Sequence, residues 1–320
     1  MRSVLIDYLA PKGHIPIINF YIKELINEFK LIYLNENINT KIKKTKNLFF
    51  LKIKKNFILR FFQILCLFKK FKKQKIKKIL MLSYEPYIMF LLSLFINLSN
   101  FQIFVFEHDT LNPKNKFKFY LIRFINKGIT HLVYQSEQKK LLKFKFKRKA
   151  IITNHPIIKN SLNKYKIKKK IILIPTRHHF KKELINNFIK KNLKYNFIIL
   201  AKSSNIKKNL FVLNQNIKIK EYITNKDIAK IFAIYLPLDP IVYKYRISSW
   251  VYMGIAYNKK IILDYNSIYK FEKKRFPSYI ILNKPKNLEL IKLQKNNINW
   301  INKYNNTLIK KLRKCIISKN

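Results

Sequence analysis

Cysteine is almost missing from this chain. Cys66 and Cys315 are the only two. A pair so far apart, without metal-ligand spacing, excludes a disulfide framework and points to a reducing compartment. Acids are scarce as well: 15 Asp and Glu stand against 68 Lys and Arg, for a formal net charge of +53. None lies between Glu36 and Glu85, or between Glu137 and Glu183. Such a field attracts nucleic acid, anionic lipid or phosphorylated substrates. Glycine occurs three times, at 13, 128 and 254. The matching wealth of Lys, Ile, Asn and Phe looks like an AT-rich genome, so part of the charge is codon bias.

Clean long apolar runs are also lacking. Residues 1–14 do not read as a signal peptide, because the run is short, contains Asp7 and has no small-residue cleavage site. The stretch 86–106 carries no charge, but Asn97, Ser99, Asn100 and Gln102 interrupt it. A bilayer span is most apolar near its middle, so this reads as helix 86–96, a turn and strand 101–106.

What is present suffices for two cores. Hydrophobic residues make up 48%, with 19 Tyr and 26 Phe, which excludes a disordered chain. A length of 320 residues accommodates two domains. Apolar runs at 3–10, 31–35, 48–53, 77–84, 101–109, 130–136 and 149–156 read as strands. Helical spacing fills 15–29, 56–72, 86–96, 115–126 and 137–144. A Lys- and Asn-rich linker, 158–170, follows. Strands are then expected at 171–176, 196–203, near 210–213, 217–220, 234–236, 260–263 and 279–283. Helices are expected at 181–191, 225–233, from 246–249 onward and at 286–296, with a basic C-terminal helix at 298–320. Strands alternating with helices predict α/β architecture, with parallel sheets covered on both faces. The expected domains are 1–157 and 171–297, two Rossmann-like halves facing across a cleft.

The stretch 234–264 organises the second half. Strand, Pro-bounded loop, helix start and next strand follow one another, and Ser248 and Ser249 suit a helix N-cap. A helix start carries unpaired N–H groups and partial positive charge, which suits a diphosphate. An ordinary βαβ unit with a serine cap is the plainer alternative.

Taken together, these landmarks resemble a GT-B glycosyltransferase of the kind that builds bacterial surface glycans, close to family 4 (group 1). Gly13 and His14 resemble the acceptor-side loop after the first strand, and Glu107, His108 and Asp109 resemble the His-bearing loop. The segment 130–142, THLVYQSEQKKLL, is similar to the one that closes the first domain. In ILIPTRHHFKKEL (172–184), Arg177 and Lys182 match the basic pair that grips the donor diphosphate, with Thr176 in place of the usual Gly. SSWVYMGIAYNKKIIL (248–263) resembles the donor-site segment. It departs from that pattern: Met253 and Tyr245 replace the Glu pair, Asn258 a Gly and Lys260 a Pro. Asn258 is tolerable at a glycine position because Asn also enters the left-handed region. The missing Glu pair leaves retaining and inverting chemistry both open.

The resemblance implies a transferase with a nucleotide-sugar co-substrate and a glycan or lipid-linked acceptor, without a cofactor or metal. Candidate general bases are His14, His108 and Asp109, since histidine titrates near neutral pH. Candidate donor-binding residues are Arg177, Lys182, Asp239, Arg246, Ser248 and Ser249. Glu107-His108-Asp109 only loosely mimics a D-x-D metal motif, and one acidic pair is no metal site. Asp264 is a further candidate acceptor for a sugar hydroxyl, whereas Asp7, inside the first strand, reads as structural. The span 41–78 holds fifteen Lys and Arg and no acid. A basic helix with a broad apolar side reads as a membrane-surface docker, which would put the protein in the cytoplasm against the inner face of the membrane. Two rivals remain: a catalytically degenerate relative, and a basic nucleic-acid-binding protein, although no nucleic-acid module motif is present.

Overall fold

The computed structural model describes residues 2–9, 14–38, 46–108, 110–111, 115–158, 170–176, 182–201, 216–241, 243–264, 275–283 and 298–316. The chain divides into two compact units. The first comprises Met1–Pro156, Tyr245–Ile247 and Lys303–Asn320; the second comprises Ile157–Lys244 and Ser248–Asn302.

The first unit is built on β1 (Ser3–Asp7), β2 (Leu31–Asn35), β3 (Leu48–Leu51), β4 (Lys78–Met81), β5 (Gln102–Phe106), β6 (Thr130–Val133) and β7 (Lys149–Ile152). They form one parallel sheet in the order β3-β2-β1-β4-β5-β6-β7. Alternate side chains of each strand serve opposite faces. Val4 and Ile6 join one core with α2 (Phe57–Lys73), α3 (Pro86–Phe95) and α4 (Lys116–Leu121). Leu5 joins the other, with α1 (Ile15–Leu25) and the C-terminal helix, α9 (Ile298–Ile316). Arg313 of α9 bridges Glu28 at 2.8 Å and donates to the Glu24 carbonyl at 3.2 Å.

The second unit holds β8 (Ile171–Pro175), β9 (Asn196–Leu200), β10 (Ile217–Lys220), β11 (Ala233–Leu236), β12 (Lys260–Asp264) and β13 (Ile280–Asn283). This sheet is also parallel, in the order β10-β9-β8-β11-β12-β13. Its helices are α6 (Lys182–Lys190), α7 (Asn225–Lys230) and α8 (Ser249–Ala256). Phe188 of α6 stacks on Tyr235 of β11 with ring centroids 3.8 Å apart. In its own chain order the second sheet runs 3-2-1-4-5-6, the Rossmann order, and the first runs the same with a seventh strand added at its end; both reverse between the first and fourth strands. In the first unit β1 lies beside β4, with Ile6 opposite Met81. In the second, β8 lies beside β11, with Leu173 opposite Ile234.

Several elements are shorter than their apolar runs. β1 stops at Asp7, β4 at Met81, β6 at Val133 and β7 at Ile152, yet Tyr8, Leu82, Tyr84 and Tyr134 beyond them stay buried. A hydrophobic run reports burial, whereas the ladder reports hydrogen-bonded pairing. Helix 115–126 is confined to α4, and the Arg148 guanidinium donates to the carbonyls of Ile122 and Arg123 just past its end. Those bonds satisfy acceptors that the end of the helix leaves without intrahelical partners. The helix expected at 137–144 begins one residue early as α5 (Ser136–Lys140) and then widens into a π turn, Leu141–Lys145. Helix 15–29 ends as the 3-10 turn Ile26–Glu28. The strand near 210–213, helix 286–296 and most of linker 158–170 lie outside the described residues.

Candidate active site

The carboxyl edge of the first sheet gathers side chains that are distant in sequence. His14 occupies the N-cap position of α1, and His108 follows β5 by two residues. Their rings lie 4.3 Å apart between centroids. The loop after β4 fixes the tautomer of His108, since Nε2 donates to the Leu82 carbonyl at 3.0 Å. Nδ1 is left as the basic nitrogen, with the Tyr134 hydroxyl 3.5 Å away. Tyr134 in turn packs against His155, at 5.3 Å between ring centroids. The Nδ1–H of His155 donates to the Pro156 carbonyl at 2.8 Å, and the Tyr304 hydroxyl donates to the His155 carbonyl at 3.1 Å.

Two members of this cluster, His108 and His155, are held in the neutral form. Burial, then the neighbouring His14 and His155, push the pKa of His108 well below the usual histidine value. Burial pushes that of His155 down to about 3. An uncharged His108 with its Nδ1 lone pair available can accept a proton from a hydroxyl.

The loop bearing His108 is tied down by its neighbour. Glu107 is fully buried and accepts from the Tyr84 hydroxyl, from the Thr110 hydroxyl and, at 2.5 Å, from His131 Nδ1. Its oxygens are therefore occupied by the fold. Asp7, at the end of β1, accepts from the Ser83 hydroxyl at 2.9 Å and from the Leu9 N–H at 3.2 Å. It is structural, as its place in the strand predicts.

Of the expected donor-side residues, Lys182 opens α6 and is half-buried. Asp239 is buried and its Oδ1 accepts from the Ile241 N–H at 2.9 Å, so it shapes the loop after β11. Ser248 takes the N-cap position of α8, but its hydroxyl makes no cap bond; the Val251 N–H reaches its carbonyl instead. Ser249 is the first helical residue and is exposed. Arg246 precedes the helix rather than opening it, and its segment groups with the first unit. Gln135 Nε2 donates to the Arg246 carbonyl at 2.5 Å, and Gln138 Nε2 to that of Tyr245 at 3.0 Å. Asp264 accepts from the Tyr235 hydroxyl at 2.8 Å. Asn258 adopts φ 56°, the left-handed conformation expected of a residue replacing glycine. Gly13, Asp109 and Arg177 lie outside the described residues, so the geometry at those positions is not part of the site. Among the described residues no three His, Cys, Asp or Glu side chains meet as a metal-binding group.

Tyr134 and His155 fall inside the apolar runs 130–136 and 149–156, where the pattern reads them as strand residues rather than site residues. The rule that drew attention to His14 and His108, a polar side chain just past a parallel strand, selects them once those strands end at Val133 and Ile152.

No protein-family model matches the chain, and no curated protein aligns with it significantly. Solved structures do match. A glycosyltransferase from Rickettsia africae is 15% identical, with a TM-score of 0.61 over 98% of this chain and 92% of that one. WaaG, a glycosyltransferase involved in lipopolysaccharide biosynthesis, is 9% identical, with a TM-score of 0.57 over 100% of both chains. The UDP-GlcNAc 2-epimerase of Neisseria meningitidis is 12% identical, with a TM-score of 0.53 over 97% and 93%. The chain has the GT-B-like fold of two Rossmann-like domains. At these identities the likeness establishes the fold.

Proposed function

We propose that this protein is a glycosyltransferase that moves a sugar from a nucleotide-sugar to a glycan or lipid-linked acceptor in bacterial surface polysaccharide synthesis. It would be allied to family 4 (group 1) without that family's Glu pair. The observation that carries the reading is the meeting of His14 and His108 at the carboxyl edge of the first sheet. Ligands of open α/β sheets sit at that edge. The first domain binds the acceptor. His108, through Nδ1, or His14 takes the proton of the attacking hydroxyl, with Asp109 the remaining candidate base. The second domain holds the donor: Arg177, Lys182 and the start of α8 would bind the diphosphate, and Asp239, Ser248 and Ser249 would line its loop. Cations placed where charge develops on the leaving group supply several kcal/mol to such a reaction. No metal is required in this scheme. The basic, apolar α2 supports a peripheral position on the inner face of the cytoplasmic membrane.

The test is a series of thermal melts with nucleoside diphosphates and nucleotide-sugars, with and without Mg²⁺, followed by product analysis. A ligand at 100 times its dissociation constant adds about 2.7 kcal/mol of stability. One nucleotide should raise the melting temperature selectively and without metal. Arg177→Ala should abolish that shift, while Lys191→Ala, at an exposed position, should keep it. Equal shifts with every polyanion, and no effect of Arg177→Ala, would reject the donor site. Because the fold is shared with UDP-GlcNAc 2-epimerases, sugar must appear on an acceptor; an epimerised nucleotide-sugar in its place would reject transfer.

A further inference from the structure

Large apolar side chains are exposed mostly on one side of one domain. Of fifteen such residues among the described ones, eleven lie on the side of α2, α3 and α4, in Phe49 of β3, these three helices and the turns after α4 and α5, whereas Phe50, level with Leu34, falls on the opposite face. None belongs to α1 or α9, which cover the opposite face of the same sheet. The pattern is therefore not a general looseness of packing.

The exposed residues form a connected surface. Helices α2, α3 and α4 lie side by side over one core. Phe57 of α2 meets Tyr87 of α3 at 6.4 Å, Tyr87 stacks on Phe117 of α4 at 5.4 Å, and Phe90 meets Phe124 at 6.4 Å. Phe62, Phe95, Phe117 and Phe124 are each more than half exposed, at 53%, 63%, 65% and 65%. Beside them, between β3 and α2, runs a groove of about 540 Å³ floored by Leu51, Ile53 and Leu67. Lys52, Lys54 and Lys70 stand along it.

Charge selects the occupant. From Asn37 to Phe146 the only acids are Glu85, Glu107, Asp109 and Glu137, the last half-buried and accepting from the Ser136 hydroxyl at 2.7 Å. Glu107 is buried, and Glu85 is paired with Arg60 at 2.9 Å. Lys54, Lys55, Lys69, Lys72, Lys73, Lys116, Lys143 and Lys145 are exposed around the aromatic side chains. An acidic protein partner would meet the lysines and leave the phenylalanines without a match. Rings that enter an acyl layer, with cations at the height of lipid phosphates, satisfy both.

We infer that the α2–α3–α4 face of the first domain is a docking surface for an anionic phospholipid bilayer, with the β3–α2 groove receiving an acyl chain of that bilayer. The inference rests on the peripheral placement proposed above for its choice of partner. It needs no transfer activity.

Flotation of the full chain with phosphatidylcholine vesicles, with and without 30% phosphatidylglycerol, tests it. Wild type should float with the anionic vesicles and keep part of its binding in 0.5 M NaCl, because inserted rings are not screened. The variant F62S/F95S/F117S/F124S, altered only at exposed positions, should keep its melting temperature and bind at least tenfold more weakly. K303Q/K310Q/K311Q/K314Q, on α9, should bind as wild type does. Unchanged binding of the phenylalanine variant, or an equal loss in the α9 variant, would overturn the docking face and leave diffuse charge as the cause. So would a wild-type chain that ignores vesicles and self-associates through this face in sedimentation velocity. The nucleotide-dependent melting shift reports on the donor site separately, so that reading and this one fail independently.

Discussion

At the scale of residues, two members of the histidine cluster stand out by being held neutral. His108 and His155 both have their pKa values held down by burial. In the unfolded chain each would titrate near the ordinary value of 6.5. Below that pH the unfolded state binds protons that the folded state refuses, so stability is complete above about pH 6.5 and declines as the pH falls toward 3. Melting temperatures measured from pH 8 to pH 4 should drop across this window. His155→Asn should flatten the drop, and an unchanged slope would place the responsible groups elsewhere. The same shift bears on catalysis. If His108 is the base, the acid limb of the kcat/KM profile lies below pH 6.5, and a limb at 6.5 would assign the base to another group. Glu107, which a motif reading puts beside His108, is spent on Tyr84, Thr110 and His131 and serves to position the loop.

At the scale of elements, α8 shows how close packing sets a sequence requirement. A Cβ on Gly254 would stand 2.9 Å from Ile261 Cγ1, 3.1 Å from Ile261 Cδ1 and 3.3 Å from Ile234 Cδ1. Helix α8 therefore lies against β11 and β12 at a distance only glycine permits. Gly254→Ala gains about 1 kcal/mol of helix propensity. It loses about 1–3 kcal/mol to overpacking. The clash is with branched side chains of a fully buried sheet, so the net effect should be destabilising, by up to about 2 kcal/mol. Denaturant titration should show a lower midpoint, and Ile261→Val on the same background should recover part of it. A midpoint at or above wild type would mean that the helix can back away from the sheet. The carboxyl end of α8 makes a similar demand, since Asn258 must take a positive φ to turn the chain into β12.

At the scale of the whole molecule, charge opposes compaction. A formal +53 on 320 residues is a large self-repulsion, and at 0.15 M ionic strength screening acts beyond about 8 Å. Raising NaCl from 0.05 to 0.5 M should raise the melting temperature without any specific ligand. A flat or falling response would show that the lysines are spaced widely enough to repel little. This sets the control for every anion experiment: a nucleotide must stabilise beyond inorganic phosphate at equal ionic strength.

The alternation of apolar runs determined by itself that the chain would form two parallel α/β sheets, because burial on both faces imposes continuous hydrophobicity. The order of those runs also determined which residues would stand at strand ends, and so selected His14 and His108. Sequence did not determine where the strands stop. Tyr8, Tyr84 and Tyr134 are buried like the ladder residues before them, and only tertiary packing separates pairing from burial. Nor could it show that Arg148 caps the carbonyls past α4, that Glu107 is enclosed, or that Arg246 groups with the first unit. Each depends on contacts between positions 23 or more apart in the chain. Local patterns govern which side chains leave water; the three-dimensional arrangement decides which polar groups those side chains enclose.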